Sequence, residues 1–353
     1  MTELAVPDTA PRFPDERGGV AVLGAGAIAR SAHLPAYQKH GVGVVGAWSR
    51  NPDTRAELRS SVRRVYDDPA ELLADPDVRI VDVATPTSVR VDWVEAAVNA
   101  GKHVLAQKPL TDSAEGIARL ERVLDRADAA GLVVAANQNG RWAPPWRATT
   151  ELLRRGAVGD VVGVTHLHDK RLPPLVGTPF DRLEHMLLAD YLNHWVDITH
   201  SWLEPARVTV VQASDARVPG QPPESRNPWS ATVTMATDTG ATALMRVVGD
   251  AVATEPACPF WVHGTEGTLR GSVLLGSERL SLDRGEGSRE LPLEGAWFVD
   301  GFAATMGELM CAVAEGRQPE NSARHALTTV RIVLAAVASA EAGGAPVAVE
   351  AAP

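Results

Sequence analysis

Short apolar runs separated by helix-forming stretches of ten or more residues mark the first 140 positions of the chain. Gly19–Leu23 (GVAVL), Val42–Trp48 (VGVVGAW), Val78–Ala84 (VRIVDVA), Lys102–Ala106 and Leu132–Ala136 each have the length of one strand buried on both faces. Between them, Arg30–His40, Pro52–Arg64, Val89–Ala100 and Ser113–Ala130 read as helices, with Gly101 and Gly131 placed as C-terminal caps. Pro35 has no N–H to give, so the first helix is predicted to begin irregularly. Such alternation predicts right-handed crossovers and a doubly wound parallel sheet over residues 19–138.

The pattern changes after Arg141-Trp142. Trp146–Arg155, Met186–Leu203, Phe298–Ala314 and Ala323–Ala342 read as helices. Val158–His168 and six further runs, Arg207–Ala213, Ala231–Ala236, Ala241–Val248, Phe260–Gly264, Thr268–Leu274 and Glu278–Asp283, follow with few long helices between them. Successive strands with short links predict an α+β domain over 139–353 with an open, mostly antiparallel sheet. Lys170–Pro179 and Asp215–Asn227 are proline-bearing loops, and residues 1–18 read as a flexible leader. The fold class is α/β: a Rossmann domain followed by an α+β domain.

Composition narrows the partners. At 353 residues and 45% apolar content the chain supplies two ordinary cores. Its 34 basic and 44 acidic side chains leave a net charge of −10, which repels phosphate backbones and disfavours nucleic acid. Two cysteines, Cys258 and Cys311, exclude a disulfide scaffold and a cysteine-rich zinc site. No uncharged apolar run approaches the ~18 residues of a membrane span, and the leader lacks the layout of a signal peptide. The expectation is a cytoplasmic protein with no membrane partner.

The first strand ends in Gly24-Ala25-Gly26-Ala27-Ile28-Ala29, which fits the dinucleotide fingerprint G-x-G-x-x-G/A. Gly24 permits a tight strand-to-helix turn. A side chain at Gly26 would keep the backbone from a pyrophosphate, and Ala29 lets the helix lie close to the sheet. The first helical turn, Ala27 and Ile28 included, offers N–H groups to the anion. Twenty positions after Ala29 stand Ser49 and Arg50, where an acid would accept from a ribose 2′-OH. A hydroxyl beside a guanidinium favours a 2′-phosphate, so NADP is preferred, with NAD the alternative.

The glycine loop, Thr85-Pro86, the Gly101–Leu110 run GKHVLAQKPL and the Asp190-x-x-x-His194-x-x-Asp197 helix, taken in order, resemble the Gfo/Idh/MocA oxidoreductases from about Val20 to about Val349. The resemblance implies a sheet-mediated homo-oligomer, a dimer or tetramer, and oxidation or reduction of a secondary carbon of a sugar, polyol or related small molecule. It implies that Lys108 touches the reacting hydroxyl and nicotinamide ribose, and that Pro109 follows a cis peptide. It also implies that Asp190 and His194 flank the reacting carbon, with Asp197 a further acid, and that Thr85 and Pro86 pack on the nicotinamide side. The sequence departs from the family at Gln107, where relatives carry glutamate, and at Val89-Arg90, where they often carry histidine.

The residues support the same chemistry unaided. Hydride transfer from an alcohol needs a base, a group that stabilises the alkoxide, and a nicotinamide in line with the carbinol hydrogen. Asp190, His194 and Asp197 share one face of a predicted helix, with His194 the natural base. Lys108 follows a strand at the carboxyl edge of the parallel sheet, where such sheets bind ligands. Gln107 keeps hydrogen-bonding capacity without charge. Arg141, Trp142, His168 and Lys170 are candidate substrate contacts. His166, His168 and His185 have no metal-site spacing, so no metal is expected. Trp142, Trp195 and Trp297 serve either sugar stacking or packing. The leading expectation is an NADP(H)- or NAD(H)-dependent dehydrogenase or reductase. Glycoside cleavage through transient oxidation, and a non-catalytic NADP(H) sensor, are the alternatives.

Overall fold

Strand–helix alternation becomes six parallel strands in the order β3-β2-β1-β4-β5-β6, the arrangement of dinucleotide-binding sheets. In chain order these elements are β1 (Val20–Leu23), a π-helical turn Ala29–His33 leading into α1 (Leu34–Lys39), β2 (Val44–Trp48), α2 (Pro52–Leu58), β3 (Arg64–Val65), α3 (Pro69–Ala74), β4 (Ile80–Val83), α4 (Thr87–Asn99), β5 (His103–Gln107), α5 (Ala114–Ala129) and β6 (Val134–Asn137). The computed structural model describes residues 7–172, 175–274, 276–285 and 287–350. Residues 1–6 of the expected leader, Pro173 and Pro174 of the expected loop, and residues 351–353 lie outside the described residues.

Helix starts are written locally. Asn51 and Asp68 accept from the N–H groups of Asp53 and Ala70, each with proline at the next position, and Ser113 accepts from Gly116. The helix expected over Pro52–Arg64 stops at Leu58, because Arg64 pairs with Gly46 of β2 as a two-residue edge strand. A Cβ on Gly46 would lie 2.4 Å from the Arg64 carbonyl oxygen, so glycine permits that pairing.

The chain continues through α6 (Pro144–Arg154), β7 (Val161–His168), a π-helical turn Leu187–Tyr191 leading into α7 (Asn193–Leu203), β8 (Val208–Ala216), β9 (Ser230–Thr237), β10 (Thr242–Val248), β11 (Pro259–Gly264), β12 (Thr268–Ser272), β13 (Arg279–Asp283), β14 (Ser288–Leu291), α8 (Phe302–Glu315), α9 (Ala323–Glu341) and β15 (Val347–Ala348). The second sheet runs β14-β13-β12-β11-β7-β10-β9-β8-β15 and is antiparallel except where β7 meets β10. Its strands alternate buried and accessible positions, as β9 and β10 do, so one face belongs to a core. In that core Trp146 of α6 meets Trp195 and Trp202 of α7 edge to face, and the Trp202 ring lies tilted against Phe260 of β11.

Two compact units result: Ala10–Trp142 with Ala296–Val330, and the rest of the chain. In the first, α8 contributes Phe302, Met306, Leu309 and Met310 to the core around Val20, Val22, Tyr37 and Leu105. Asn321 clasps the sheet, its carbonyl accepting from the Ala136 N–H and its side chain donating to the Ala136 carbonyl, both at 2.8 Å. Phe13 stacks on His40 at 5.8 Å. Among the described residues Trp297–Glu315 alone has the length and apolarity of a membrane span, and 72% of that stretch is buried inside the fold, as befits a core helix.

Candidate functional site

The glycine loop turns sharply at the carboxyl end of β1. Gly24 has φ +93°, and a Cβ there would lie 2.7 Å from the Thr85 Cγ2 atom and 3.0 Å from its main-chain nitrogen. Glycine is therefore required twice, for conformation and for contact. Gly26 differs: a Cβ would meet only the Gly24 carbonyl oxygen, at 3.8 Å. Gly26, Ala27 and Ile28 are exposed and Ala29 is fully buried, so the loop leaves open space over a helix start. Beyond β2, Ser49 is buried and Arg50 exposed; Arg55 holds both carbonyls, at 2.8 and 3.2 Å.

The loops after β4 and β5 are tied together. Arg90 of α4, read from the sequence only as a departure, is buried and donates to the carbonyls of Thr85 (2.6 Å) and Pro109 and to the Thr87 hydroxyl. Thr85 and Pro86 thus share a brace with the Lys108-Pro109 turn, whose peptide is cis. Lys108 is half-buried, and its main-chain N–H donates to the Gln107 side-chain carbonyl at 2.7 Å. Past β6, Arg141 and Trp142 are buried; Arg141 donates to the Glu320 carbonyl at 2.8 Å, and Trp297 donates to Asn139 at 2.6 Å.

Sequence reasoning passed over His33, Tyr37 and Asp82. All three are fully buried, and Asp82 accepts from His33 Nδ1 and from the Tyr37 hydroxyl, each at 2.7 Å. Burial and the Asp82 charge push the Tyr37 hydroxyl well above its ordinary range. The one available signal was a lone acid inside the apolar run VRIVDVA.

In the second unit, Asp190 sits on the π-helical turn and His194 on the first turn of α7, both half-buried. Asp197, one turn on, is buried and 4.0 Å from His200. His168 is buried, with Nε2 2.9 Å from the Tyr191 hydroxyl and Nδ1 3.6 Å from Cys258 Sγ. Burial first, then the Lys170 charge, pull His168 down to about 3, and burial pushes the Cys258 thiol up to about 12. Lys170 is half-buried. His166 lies among Trp146, Trp202 and Phe260, and burial alone takes it to about 3. His185 instead pairs with Asp215 at 2.8 Å. Trp195 stacks on Tyr191, and Trp142, Trp195 and Trp297 are all buried.

Residues 19–138 match the family model described as oxidoreductase family, NAD-binding Rossmann fold. Residues 150–349 match its companion, the C-terminal alpha/beta domain of the same family. The chain belongs to the Gfo/Idh/MocA oxidoreductases. Within that family it is similar to 1,5-anhydro-D-fructose reductase of Ensifer adhaerens, 27% identical over 333 residues, 92% of this chain and 96% of the relative. It is also similar to D-apiose dehydrogenase of Paraburkholderia graminis, 26% identical over 92% of this chain and 88% of that one. An Agrobacterium radiobacter oxidoreductase solved with NAD+, L-tartaric acid and magnesium shares the Gfo/Idh/MocA fold, with TM-score 0.81 and 22% identity over 95% of this chain and 99% of that one.

Proposed function

We propose that this protein moves a hydride between nicotinamide C4 and a secondary carbinol or keto carbon of a sugar, polyol or related small molecule. NADP(H) is the preferred cofactor and NAD(H) the alternative. The observation that carries the reading is the open space over Gly26 at a helix start, beside a turn that only glycine can make. Bound there, the dinucleotide supplies the hydride donor or acceptor. Gly24, Gly26, Ala27, Ile28 and Ala29 hold the pyrophosphate, Ser49 and Arg50 the 2′-phosphate, and Thr85, Pro86 and Gln107 support the nicotinamide side. His194 takes the hydroxyl proton, oriented by Asp190, while the Lys108 ammonium stabilises the alkoxide. In oxidation, the C–H bond electrons leave as hydride, the O–H proton passes to His194, and the C=O forms. Lys170 is accessible enough for substrate contact; Arg141, Trp142, His168 and Asp197, being buried, act by shaping polar walls.

The reading includes a cytoplasmic homo-oligomer joined through the second sheet, whose outer positions Gln212 and Thr234 are exposed. A screen of sugars, inositols and amino sugars with either nicotinamide tests the reaction. Lys108→Ala and His194→Ala are expected to lose turnover while cofactor affinity stays within about threefold. Full activity in both refutes the assignment.

A further inference from the structure

Fully buried, His33 stands among three side chains of the parallel sheet. Its Nδ1 faces the Asp82 carboxylate at 2.7 Å, and its Nε2 faces the Gln107 amide nitrogen at 3.1 Å and that of Asn137 at 3.4 Å. The other end of Gln107 accepts the Lys108 main-chain N–H at 2.7 Å. Donors and acceptors fit in one way only. A main-chain N–H only donates, so the Gln107 carbonyl oxygen must face it and the NH2 must face His33. His33 Nε2 then accepts, and the single ring proton lies on Nδ1, donated to Asp82.

We infer that His33 and Asp82 are positioning residues that act through Gln107 on the Lys108 main chain, and that the amide at position 107 is matched to an uncharged His33. The inference rests on the reading of Lys108 as the residue beside the reacting hydroxyl. Facing His33 are Asp82 of β4, Tyr37 of α1, Gln107 of β5, Asn137 of β6 and the Phe302 ring of α8, 5.0 Å away. Only Asp82 and Tyr37 among these titrate. Charges on the neighbouring segment are engaged elsewhere: Asp300 with Lys39 and His40, Glu308 and Glu315 with Arg317. The path from Asp82 to Lys108 thus has a fixed direction of donation.

Gln107→Glu tests the match. A carboxylate facing both the Lys108 N–H and His33 Nε2 needs a proton between itself and the imidazole, so the folded variant holds one proton more than the wild type. That proton is held to a higher pH than in the unfolded chain. The stability it brings is present at acid pH and lost as pH rises through the raised value. Measured against wild type at each pH, the variant is expected to lose at least about 3 °C in Tm from pH 6 to pH 9. Over the same range its kcat relative to wild type should fall about tenfold. Gln107→Leu, which is of similar size and removes both hydrogen bonds, should lower kcat by about tenfold or more at every pH. Nitrogen NMR of the wild-type protein, labelled in histidine and assigned with a His33→Asn variant, should show His33 protonated on Nδ1 and bare at Nε2. Parallel Tm profiles for wild type and Gln107→Glu, or a proton on Nε2 in the wild type, overturns the inference. The Tm and NMR readouts need no turnover, so a wild type without hydride transfer would sink the functional reading separately.

Discussion

The two loop glycines make opposite demands, and Gly26→Ala exploits the difference. Beyond its chain neighbours, the new methyl would have no protein atom closer than the Gly24 carbonyl oxygen at 3.8 Å, and Gly26 lies outside the left-handed region. Folding stability should therefore stay within about 0.5 kcal/mol of wild type, or rise slightly as the unfolded chain loses freedom. The methyl nevertheless stands where the proposed pyrophosphate would approach. With cofactor at 100 times Kd, binding stabilises the wild type by about 2.7 kcal/mol, or roughly 5 °C in Tm. A hundredfold loss of affinity reduces that to about 0.4 kcal/mol, roughly 1 °C. Thermal unfolding with and without NADP+ and NAD+ measures both quantities in one experiment. Gly24→Ala is the control: at φ +93° and 2.7 Å from Thr85 Cγ2, it should cost about 1–3 kcal/mol before any cofactor is added. A Gly26→Ala protein that keeps the full cofactor-induced rise would refute the placement of the dinucleotide over this loop.

Arg50→Ala should shift the ratio of kcat/KM for NADP over NAD toward NAD by about tenfold or more; an unchanged ratio removes the guanidinium from cofactor choice. Arg90→Met leaves the Thr85 and Pro109 carbonyls short of their donor and should cost about 3 kcal/mol, read as a fall in denaturation midpoint. His166, held down to about 3 against about 6.5 when unfolded, refuses a proton that the unfolded chain accepts, so its contribution falls as pH drops from 6.5 toward 3. His166→Phe should flatten the acid side of the Tm–pH profile by on the order of 1 kcal/mol per pH unit, and an unchanged slope would contradict the burial argument. Thr234→Asp combined with Leu244→Asp, on the outer face of the second sheet, should lower the mass seen by light scattering to that of one chain.

What the sequence discloses depends on how local the cause is. The glycine loop was readable because turn, close approach and helix start fall within six consecutive residues. Strand periodicity placed the major strands of both sheets for the same reason. The two residues of β3 carry too little pattern, and the helix formers of Pro52–Arg64 gave no sign that Arg64 would turn to pair with Gly46. Lys108 and Arg90 show the limit at the site. The lysine was found from the run around it, but the arginine was seen only as an unexpected residue, because its partners at Thr85 and Pro109 lie in two different loops. His33, Asp82 and Gln107 meet only once the turn before α1 is stacked on β4 and β5, so no spacing could reveal them.

The membership of α8 in the first unit bears on how the protein is made. Phe302, Met306, Leu309 and Met310 complete a core whose opening strand begins at Val20. A chain growing on the ribosome cannot close that core until those residues have left the exit tunnel. The whole second sheet except its last strand is synthesised in the meantime, so the nucleotide-binding half, though begun first, is finished late.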